Sequence, residues 1–223
     1  MKIIVFGATG GVCLNAVKLL VNEHKVVVAV RSKDKFTKLF GADVPESLEI
    51  TEGDALDPDF VRATVQGSDI VLTGVGMALE GLGLTGVTFS GQGICENSMS
   101  ILVDAVGKLA QQDRPKRLIV VSSTGLDDKR DYPLLLVPLY KLVLHTPHED
   151  KRKMEHIMEI QTVFPEVISV RGAVYTDGDL TGKYRVGEDV TGYTISRADV
   201  GHFVATECVG SDKWVNKKPR VAY

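Results

Sequence analysis

The stretch MKIIVFGATGGVC, residues 1–13, decides the fold. A short apolar run at residues 3–6 meets a glycine turn at residues 7–11, and an amphipathic segment follows that turn. This order predicts a buried strand, a tight turn and a helix. The glycines allow the backbone to approach a bulky anion, and the helix N-terminus presents unpaired N–H groups with a partial positive charge. The stretch therefore predicts a site for a phosphate-bearing cofactor.

Length and composition limit the class of protein. The 223 residues suffice for one large domain, so we predict a single unit over residues 1–223. A formal net charge of −3 gives no global basic field of the kind that binds nucleic acid. Three cysteines without a CxxC pair predict reduced thiols in an intracellular, cytoplasmic protein.

No segment has the pattern of a signal peptide or a membrane span. The N-terminal apolar run is four residues long, too short for a signal peptide. The most apolar later segment, residues 132–147, contains two internal prolines and is shorter than the roughly 20 residues that span a bilayer. We therefore expect neither a membrane nor a nucleic acid as partner, and we expect a small-molecule substrate.

Five further strand patterns follow the first one. They share β-branched or apolar runs next to turn residues and lie at residues 25–30, 48–51, 69–73, 116–121 and 166–170. Helical spacing recurs over residues 94–109 and 148–161, and Asp57 is a predicted N-cap for a shorter helix that begins at Pro58. Alternating strands and helices predict an α/β fold with a doubly wound, mostly parallel sheet. Its ligand crevice is expected at the carboxyl ends of the strands.

After Arg171 the alternation loosens into a small C-terminal extension, which we place on the substrate side of the fold. Residues 183–186 and 193–195 are predicted to pair with each other as short strands. Ser196 is a predicted N-cap for a helix over residues 197–208.

The end of the second strand predicts which cofactor is bound. A protein that prefers NAD usually carries Asp or Glu there, where a carboxylate binds the ribose hydroxyls. This chain has Arg31, Ser32 and Lys33 instead. Because a cation suits a 2′-phosphate, we predict NADP(H); the alternative is a solvent-exposed arginine without this role.

Other strand ends supply further candidates. Asp54 follows the third strand, where it could accept a hydrogen bond from an adenine amino group; a simple turn is the alternative. The segment at residues 74–93 holds seven glycines in twenty residues, and its start lies where a ribose and pyrophosphate would run. We predict that the rest forms no fixed element and acts as a mobile flap, or else as a loop without function. Cys13, where a third glycine of the turn would fall, is interpreted as a small packing residue rather than a nucleophile.

Seven motifs in series resemble the atypical short-chain dehydrogenase/reductase superfamily, in its NmrA-like branch of NAD(P)H-binding proteins. The motifs are GATGGVC, VRSKDK, EGDALD, VVSSTG, HEDKRKME, VRGAVYTDGDLTGKY and ISRADVGHFV. The terminal LTGxY and ISxxDxGHF segments also look like the biliverdin/flavin reductase layout. This resemblance covers nearly the whole chain and implies a single NAD(P)-binding, Rossmann-like domain with oxidoreductase activity.

The resemblance implies a set of cofactor contacts at matching positions. The pyrophosphate would be held by Gly7, Thr9, Gly10, Gly11 and Val12. The 2′-phosphate would meet Arg31, and the adenine would meet Asp54 and Ala55. The remaining implied cofactor contacts are Gly74, Val75, Gly76, Ser122, Lys151, Gly172, Ala173 and Val174, of which the last three would meet the carboxamide.

The resemblance also implies catalytic positions. Ser122 and Ser123 lie where the superfamily keeps its catalytic-loop serine, and Lys151 matches the helix lysine that binds the nicotinamide ribose and sometimes acts as acid or base. The usual tyrosine four residues before that lysine is replaced by Pro147. The biliverdin/flavin reductase type also lacks this tyrosine yet reduces its substrates, so hydride transfer stays possible.

The substitute proton donors are Tyr132, Tyr140, Tyr175 and His148, and no spacing argument favours any of them. No metal site is predicted, because Pro147 between His145 and His148 is expected to prevent a regular helix turn and no third ligand has suitable spacing.

The leucine-rich segment at residues 134–144 is interpreted as a lipophilic wall over the substrate site or as the face of a homodimer. Its apolar character favours a nonpolar or aromatic substrate. The leading hypothesis is an NADPH-dependent reductase or dehydrogenase of a small aromatic or conjugated carbonyl-type molecule. A non-catalytic NADP(H)-sensing regulator and a cofactor-bound isomerase or cyclase of a biosynthetic pathway stay open as alternatives.

Overall fold

A computed structural model describes residues 1–83 and 86–223 of the chain. The strands within those ranges are β1 (Lys2–Phe6), β2 (Lys25–Val30), β3 (Leu48–Glu52), β4 (Ile70–Thr73), β5 (Ala78–Gly83), β6 (Gly86–Ser90), β7 (Arg117–Ser123), β8 (Glu166–Gly172), β9 (Val174–Thr176), β10 (Arg185–Gly187), β11 (Thr194–Ser196) and β12 (Arg220–Ala222). The α-helices are α1 (Gly11–Leu20), α2 (Lys33–Phe40), α3 (Pro58–Val65), α4 (Ile94–Gly107), α5 (His145–Ile160) and α6 (Arg197–Phe203). Short 3₁₀ turns cover Gln111–Asp113 and Leu134–Leu136, and π-helical turns cover Leu139–Val143 and Val204–Val209.

One sheet organises these elements, with the strand order β10-β12-β8-β7-β4-β1-β2-β3. Every neighbouring pair in it is parallel except β10 with β12. Strands β2 and β3 extend the sheet on one side of β1, and β4 and β7 extend it on the other side. This reversal of strand order opens a crevice at the carboxyl end of β1. The predicted α/β fold with a doubly wound, mostly parallel sheet is confirmed.

Both faces of the sheet are covered, as a parallel sheet requires. Side chains alternate along β1, so Ile3 and Val5 join the core under α1 and α6, while Ile4 and Phe6 join the core under α3, α4 and α5. This double burial explains why β1 is an unbroken apolar run rather than an alternating one.

Two predicted helix caps are confirmed. The Asp57 carboxylate accepts hydrogen bonds from the backbone N–H groups of Asp59 and Phe60 at the start of α3. The Ser196 hydroxyl accepts one from the N–H of Asp199 at the start of α6. Such caps satisfy donors that the first helical turn leaves without partners.

The prediction that Pro147 prevents a regular turn was wrong. Helix α5 begins at His145, three residues before the predicted start, and continues through the proline. Pro147 is tolerated because it lies in the first turn, where its missing N–H has no intrahelical acceptor.

The predicted pairing in the C-terminal extension was also wrong. Strand β10 pairs antiparallel with β12, and β11 pairs parallel with β9. Both partners lie far from these strands in sequence, so the short apolar patterns could not indicate them.

The glycine-rich segment at residues 74–93 was predicted to form no fixed element, and this was wrong as well. Strands β5 and β6 pair antiparallel within it. Two residues of the predicted flap, 84 and 85, lie outside the described residues.

The leucine-rich segment at residues 134–144 is only partly a wall. Leu134 and Val137 line a cavity, but Leu135 and Leu142 are 78% and 81% exposed.

In the described ranges, no helix combines the length and apolar character that crossing a membrane requires.

The carboxylate of Asp150 joins α5 to α4, which cover the same face of the sheet. Asp150 of α5 is buried, and its two oxygens accept hydrogen bonds from the N–H groups of Cys95 and Glu96, both at 3.0 Å. Helix α4 begins after Gly93, which offers no side-chain cap. Asp150 therefore acts as a cap supplied by another helix.

We expect Asp150→Ala to lower the free energy of unfolding by about 1–2 kcal/mol, because two N–H donors at the start of α4 lose their acceptor. Chemical denaturation of both proteins measures the difference. The matched control is Asp104→Ala, which removes an exposed carboxylate of α4 whose pair with Lys108 contributes roughly 0.3–0.5 kcal/mol. Equal losses in the two variants would contradict the capping role.

Candidate functional site

A cavity of about 420 Å³ lies at the carboxyl end of β1. The predicted cofactor residues that line it are Gly7, Thr9, Gly10, Arg31, Asp54, Ala55, Gly74, Val75 and Gly76. These residues come from four strand ends that the sheet topology brings to one edge. The cavity is therefore the crevice expected at the switch point between β2 and β4.

The glycine turn leaves room for an anion. Gly7 has φ +72°, and a Cβ there would lie 2.6 Å from the carbonyl carbon of Gly74. Only glycine can pass beneath the end of β4 in this conformation. Gly11 and Val12 form the first turn of α1, where Gly11 packs against the Arg197 side chain and Val12 is buried. Any contact of these two residues with a phosphate must use their backbone N–H groups.

Two cationic side chains that line this cavity, Lys35 and Arg197, were not predicted from the sequence. Lys35 lies on the first turn of α2, four residues after Arg31, and both side chains line the cavity. Arg197 lines it from the start of α6 and forms an ion pair of 2.7 Å with Asp177. The only sequence signals were the helical spacing from Arg31 to Lys35 and the position of Arg197 just after a capping serine.

Cys13 lies beneath the cavity as a packing residue. It is 1% exposed, and its sulfur occupies the space that a Cβ of Gly74 would need. Burial raises the pKa of the Cys13 thiol to about 12, although the charge of Lys151 acts in the opposite direction. A neutral, enclosed thiol of this kind is not a nucleophile.

Lys151 lies on α5 between His148 and Arg152, which both line a second cavity, but Lys151 itself lines neither cavity. Its ammonium donates a hydrogen bond of 3.1 Å to the carbonyl of Val121, near the end of β7. Burial is the larger cause of the raised pKa of Cys13 and of the lowered pKa of His148, and the charge of Lys151 opposes the first shift and adds to the second. His148 lines the second cavity. The ammonium is thus held near the end of β7, on the helix that also carries His148 and Arg152 of the second cavity.

Ser123 and His148 meet beside this lysine. The Ser123 hydroxyl lies 3.2 Å from Nε2 of His148 and 3.0 Å from the carbonyl of Thr124. Burial lowers the pKa of His148 to about 4, and the charges of Lys151 and Arg152 add to the effect. The imidazole is therefore neutral near pH 7, able to orient the serine hydroxyl without carrying a charge.

Ser122 is not brought to either cavity. Its buried hydroxyl donates a hydrogen bond of 2.5 Å to Glu155, which also accepts from Ser169 and pairs with Arg171 at 2.5 Å. Burial alone would raise the pKa of Glu155, but Arg171 and the two hydroxyls lower it below its usual range. This network fastens α5 to β7 and β8, so the Ser122 hydroxyl does not suit the catalytic role implied for it.

Gly172 at the end of β8 and the next two residues, Ala173 and Val174, line neither cavity. Gly172 donates its N–H to the Tyr175 hydroxyl, Ala173 to the carbonyl of Val221, and Val174 to the carbonyl of Tyr193. These N–H groups are thus not available for the predicted contact with a carboxamide.

The tyrosines proposed as substitute donors are held differently from one another. Tyr175 donates a hydrogen bond of 2.6 Å to the carbonyl of Ser122, and burial raises its pKa. Tyr140 is 2.7 Å from the Thr124 hydroxyl, and burial raises its pKa to about 12. Tyr132 stacks on Tyr140 with ring centroids 3.8 Å apart.

The second cavity has a volume of about 600 Å³ and is lined by residues of α5 and of the loop after β7. Its lining includes both stacked tyrosines, His148 and four residues of the loop after β7, which are Gly125, Asp127, Asp128 and Arg130. One cavity is thus lined by glycines and cations, which suits a phosphate-bearing molecule, and the other has an aromatic wall.

Comparison with known proteins gives concordant relatives. A family described as NAD(P)H-binding matches residues 7–209. Oxidase pynE of Aspergillus niger is 32% identical, with 95% of each chain covered. Reductase pytE of Aspergillus terreus is 28% identical over 89% of this chain and 88% of that protein. The solved structure of ChuY, an anaerobillin reductase from Escherichia coli O157:H7, has the same fold: its TM-score is 0.72 at 21% identity, covering 100% of this chain and 97% of that chain.

Proposed function

Since this chain belongs to the NAD(P)H-binding family, we propose that it is an NADPH-dependent reductase of a small, conjugated carbonyl-type substrate. The predicted family and the predicted nicotinamide cofactor are confirmed by that membership. The observation that carries the proposal is the glycine-lined cavity at the end of β1, with an aromatic cavity, the Ser123–His148 pair and the Lys151 ammonium at the end of β7. The names of the two fungal relatives, an oxidase and a reductase, support oxidoreductase chemistry.

In this proposal the cofactor is held mainly by backbone and cations. The turn from Gly7 and the first turn of α1 would bind the pyrophosphate, with Arg197 beside them. Arg31 and Lys35 would bind the 2′-phosphate, and Asp54 would accept from the adenine. The bound cofactor supplies the hydride.

The chain's own residues would act on the substrate oxygen. Lys151 would stabilise negative charge that develops there, and Ser123 would donate a hydrogen bond to it. The neutral imidazole of His148 would hold the Ser123 hydroxyl in place. We do not assign a substrate contact to the buried hydroxyl of Ser122.

The test is consumption of NADPH, followed by its absorbance, with a panel of quinones, flavins and aromatic ketones. Turnover of any of them supports a reductase. Tight NADPH binding without turnover across the panel would contradict the proposal for these substrates and favour a dinucleotide-sensing regulator. A cytoplasmic location, a homodimer and a single domain over residues 1–223 stay predictions.

We expect Lys151→Met to lower kcat/KM by about 100-fold, because the substitution keeps the side-chain length but removes the charge near the substrate oxygen. Steady-state kinetics with the most active substrate of the panel measures this. Lys153→Met is the matched control, since Lys153 is exposed and pairs with Glu96 at 3.0 Å. Equal values of kcat/KM for Lys151→Met and Lys153→Met would contradict a role of Lys151 in the reaction.

A further inference from the structure

The second cavity has more positive charge than its own carboxylates neutralise. Arg130, Lys141 and Arg152 line it, and within residues 1–83 and 86–223 no carboxylate lies within ion-pair distance of them. Of the two acidic residues in the lining, Asp127 pairs with two arginines outside the cavity wall, at 2.6 and 3.2 Å. Asp128 alone is left to offset three cations.

One of these cations is held rigidly. The Arg152 guanidinium donates hydrogen bonds to the carbonyl of Leu126 at 2.9 Å and to the carbonyl of Gly125 at 3.1 Å. The two donors, Nε and Nη2, lie on one edge of the planar guanidinium. These hydrogen bonds fix the position of the guanidinium before a ligand binds. A preorganised guanidinium loses little conformational entropy when it binds an oxyanion.

The same cavity also offers a flat aromatic surface. Tyr132 stacks on Tyr140 at an interplanar angle of 11°, and Tyr140 is anchored to Thr124 beneath it. Gly125, at φ +85°, makes this possible, because a Cβ there would overlap the Tyr140 ring. A planar conjugated molecule can stack on such a surface.

We infer that the substrate is a planar conjugated molecule that carries a carboxylate, with its ring system against Tyr132 and its carboxylate held by Arg130, Lys141 and Arg152. This inference rests on the proposed function, because it specifies the substrate of the same site. The expectation was a nonpolar or aromatic substrate; the inference keeps its aromatic part and replaces its nonpolar part, since Leu135 and Leu142 are exposed.

Equilibrium binding tests the inference without any turnover. Anthraquinone carboxylate and its neutral carboxamide are titrated by calorimetry into the protein saturated with NADP⁺, in which no hydride is available for transfer. We expect the carboxylate to bind about 10-fold more tightly than the carboxamide, as a charge-assisted contact predicts. Equal affinities, or no binding of the carboxylate, would overturn the inference.

Variants locate the preference. Arg152→Gln and Lys141→Gln should each reduce the preference for the carboxylate several-fold, while Lys129→Gln should preserve it. Lys129→Gln is the control because it removes one positive charge from the exposed loop that carries Arg130, while Lys129 itself does not line the cavity. A preference that survives both cavity variants would overturn the inference. A carboxylate preference without NADPH consumption would instead uphold the binding site and count against the reductase.

Discussion

Replacing Asp199 by alanine should lower the free energy of unfolding by about 3–5 kcal/mol, because five hydrogen bonds to one buried acceptor would be lost. Asp199 is fully buried. One of its oxygens accepts from the N–H groups of Thr181 and Gly182, at 2.9 and 2.8 Å. The other accepts from three hydroxyls, which belong to Thr181, Ser196 and Tyr223. One carboxylate thus connects α6, the loop before β10 and the last residue of the chain.

Thermal unfolding would measure this loss, and a decrease in Tm of about 10 °C is expected for a protein of this size. Asp179→Ala serves as the control, because it removes an exposed carboxylate from the same C-terminal region. The isosteric Asp199→Asn should recover part of the loss, since the retained oxygen can still accept from two donors. Equal Tm values for Asp199→Ala and Asp179→Ala would contradict the role of Asp199 as a shared acceptor.

The effect should depend on pH in a defined direction. Burial by itself would raise the pKa of Asp199, but the hydrogen bonds from Tyr223, Thr181 and Gly182 outweigh it and lower the pKa below its ordinary value. A lowered folded-state pKa contributes stability that is fully present above the unfolded value of about 3.9 and is lost as the pH falls through the folded value. The stability difference between the wild type and Asp199→Ala should therefore narrow below about pH 4 and stay constant above about pH 5.

Arg31→Asp should weaken NADPH binding by about 100-fold while leaving NADH binding within a few-fold of the wild type, because only NADPH carries the 2′-phosphate. Arg31 and Lys35 line the same cavity, and a carboxylate in place of Arg31 would repel the phosphate and accept hydrogen bonds from ribose hydroxyls instead. Fluorescence titration of both cofactors measures the two affinities.

The matched control for this prediction is Lys33→Asp. It makes the same change of charge two residues away, at the first position of α2, where an acidic residue suits the helix dipole and the side chain does not line the cavity. Its affinities for both cofactors should stay near those of the wild type. An equal loss of NADPH and NADH affinity in Arg31→Asp would refute the assignment of the 2′-phosphate to this residue.

Much of the sheet could be predicted because its signals are local. Strands β1 and β2 are buried on both faces. Each is therefore a continuous run of apolar residues, which can be recognised from a few consecutive positions. The caps at Asp57 and Ser196 lie within three residues of the N–H groups that they satisfy. Neither feature depends on a distant part of the chain.

The candidate site was predicted less completely, because side chains that meet there come from distant segments. Lys35 and Arg197 reach one cavity from helices at opposite ends of the chain. Ser122 and Ser123 are adjacent, yet side chains alternate along a strand, and only the position of Glu155 on α5 decides that the first hydroxyl turns inward.

The sequence by itself determined the strand–turn–helix start, the doubly wound parallel sheet and the location of the dinucleotide crevice. These follow from hydrophobic periodicity, from glycine at the turn and from the order of strands and helices, all of which act over short stretches of chain. The tertiary structure alone decided the partners of β10 and β12, the cap that Asp150 supplies to α4, and the charge of the second cavity. Those features depend on which distant residues the fold brings within a few ångströms, and no local pattern encodes that distance.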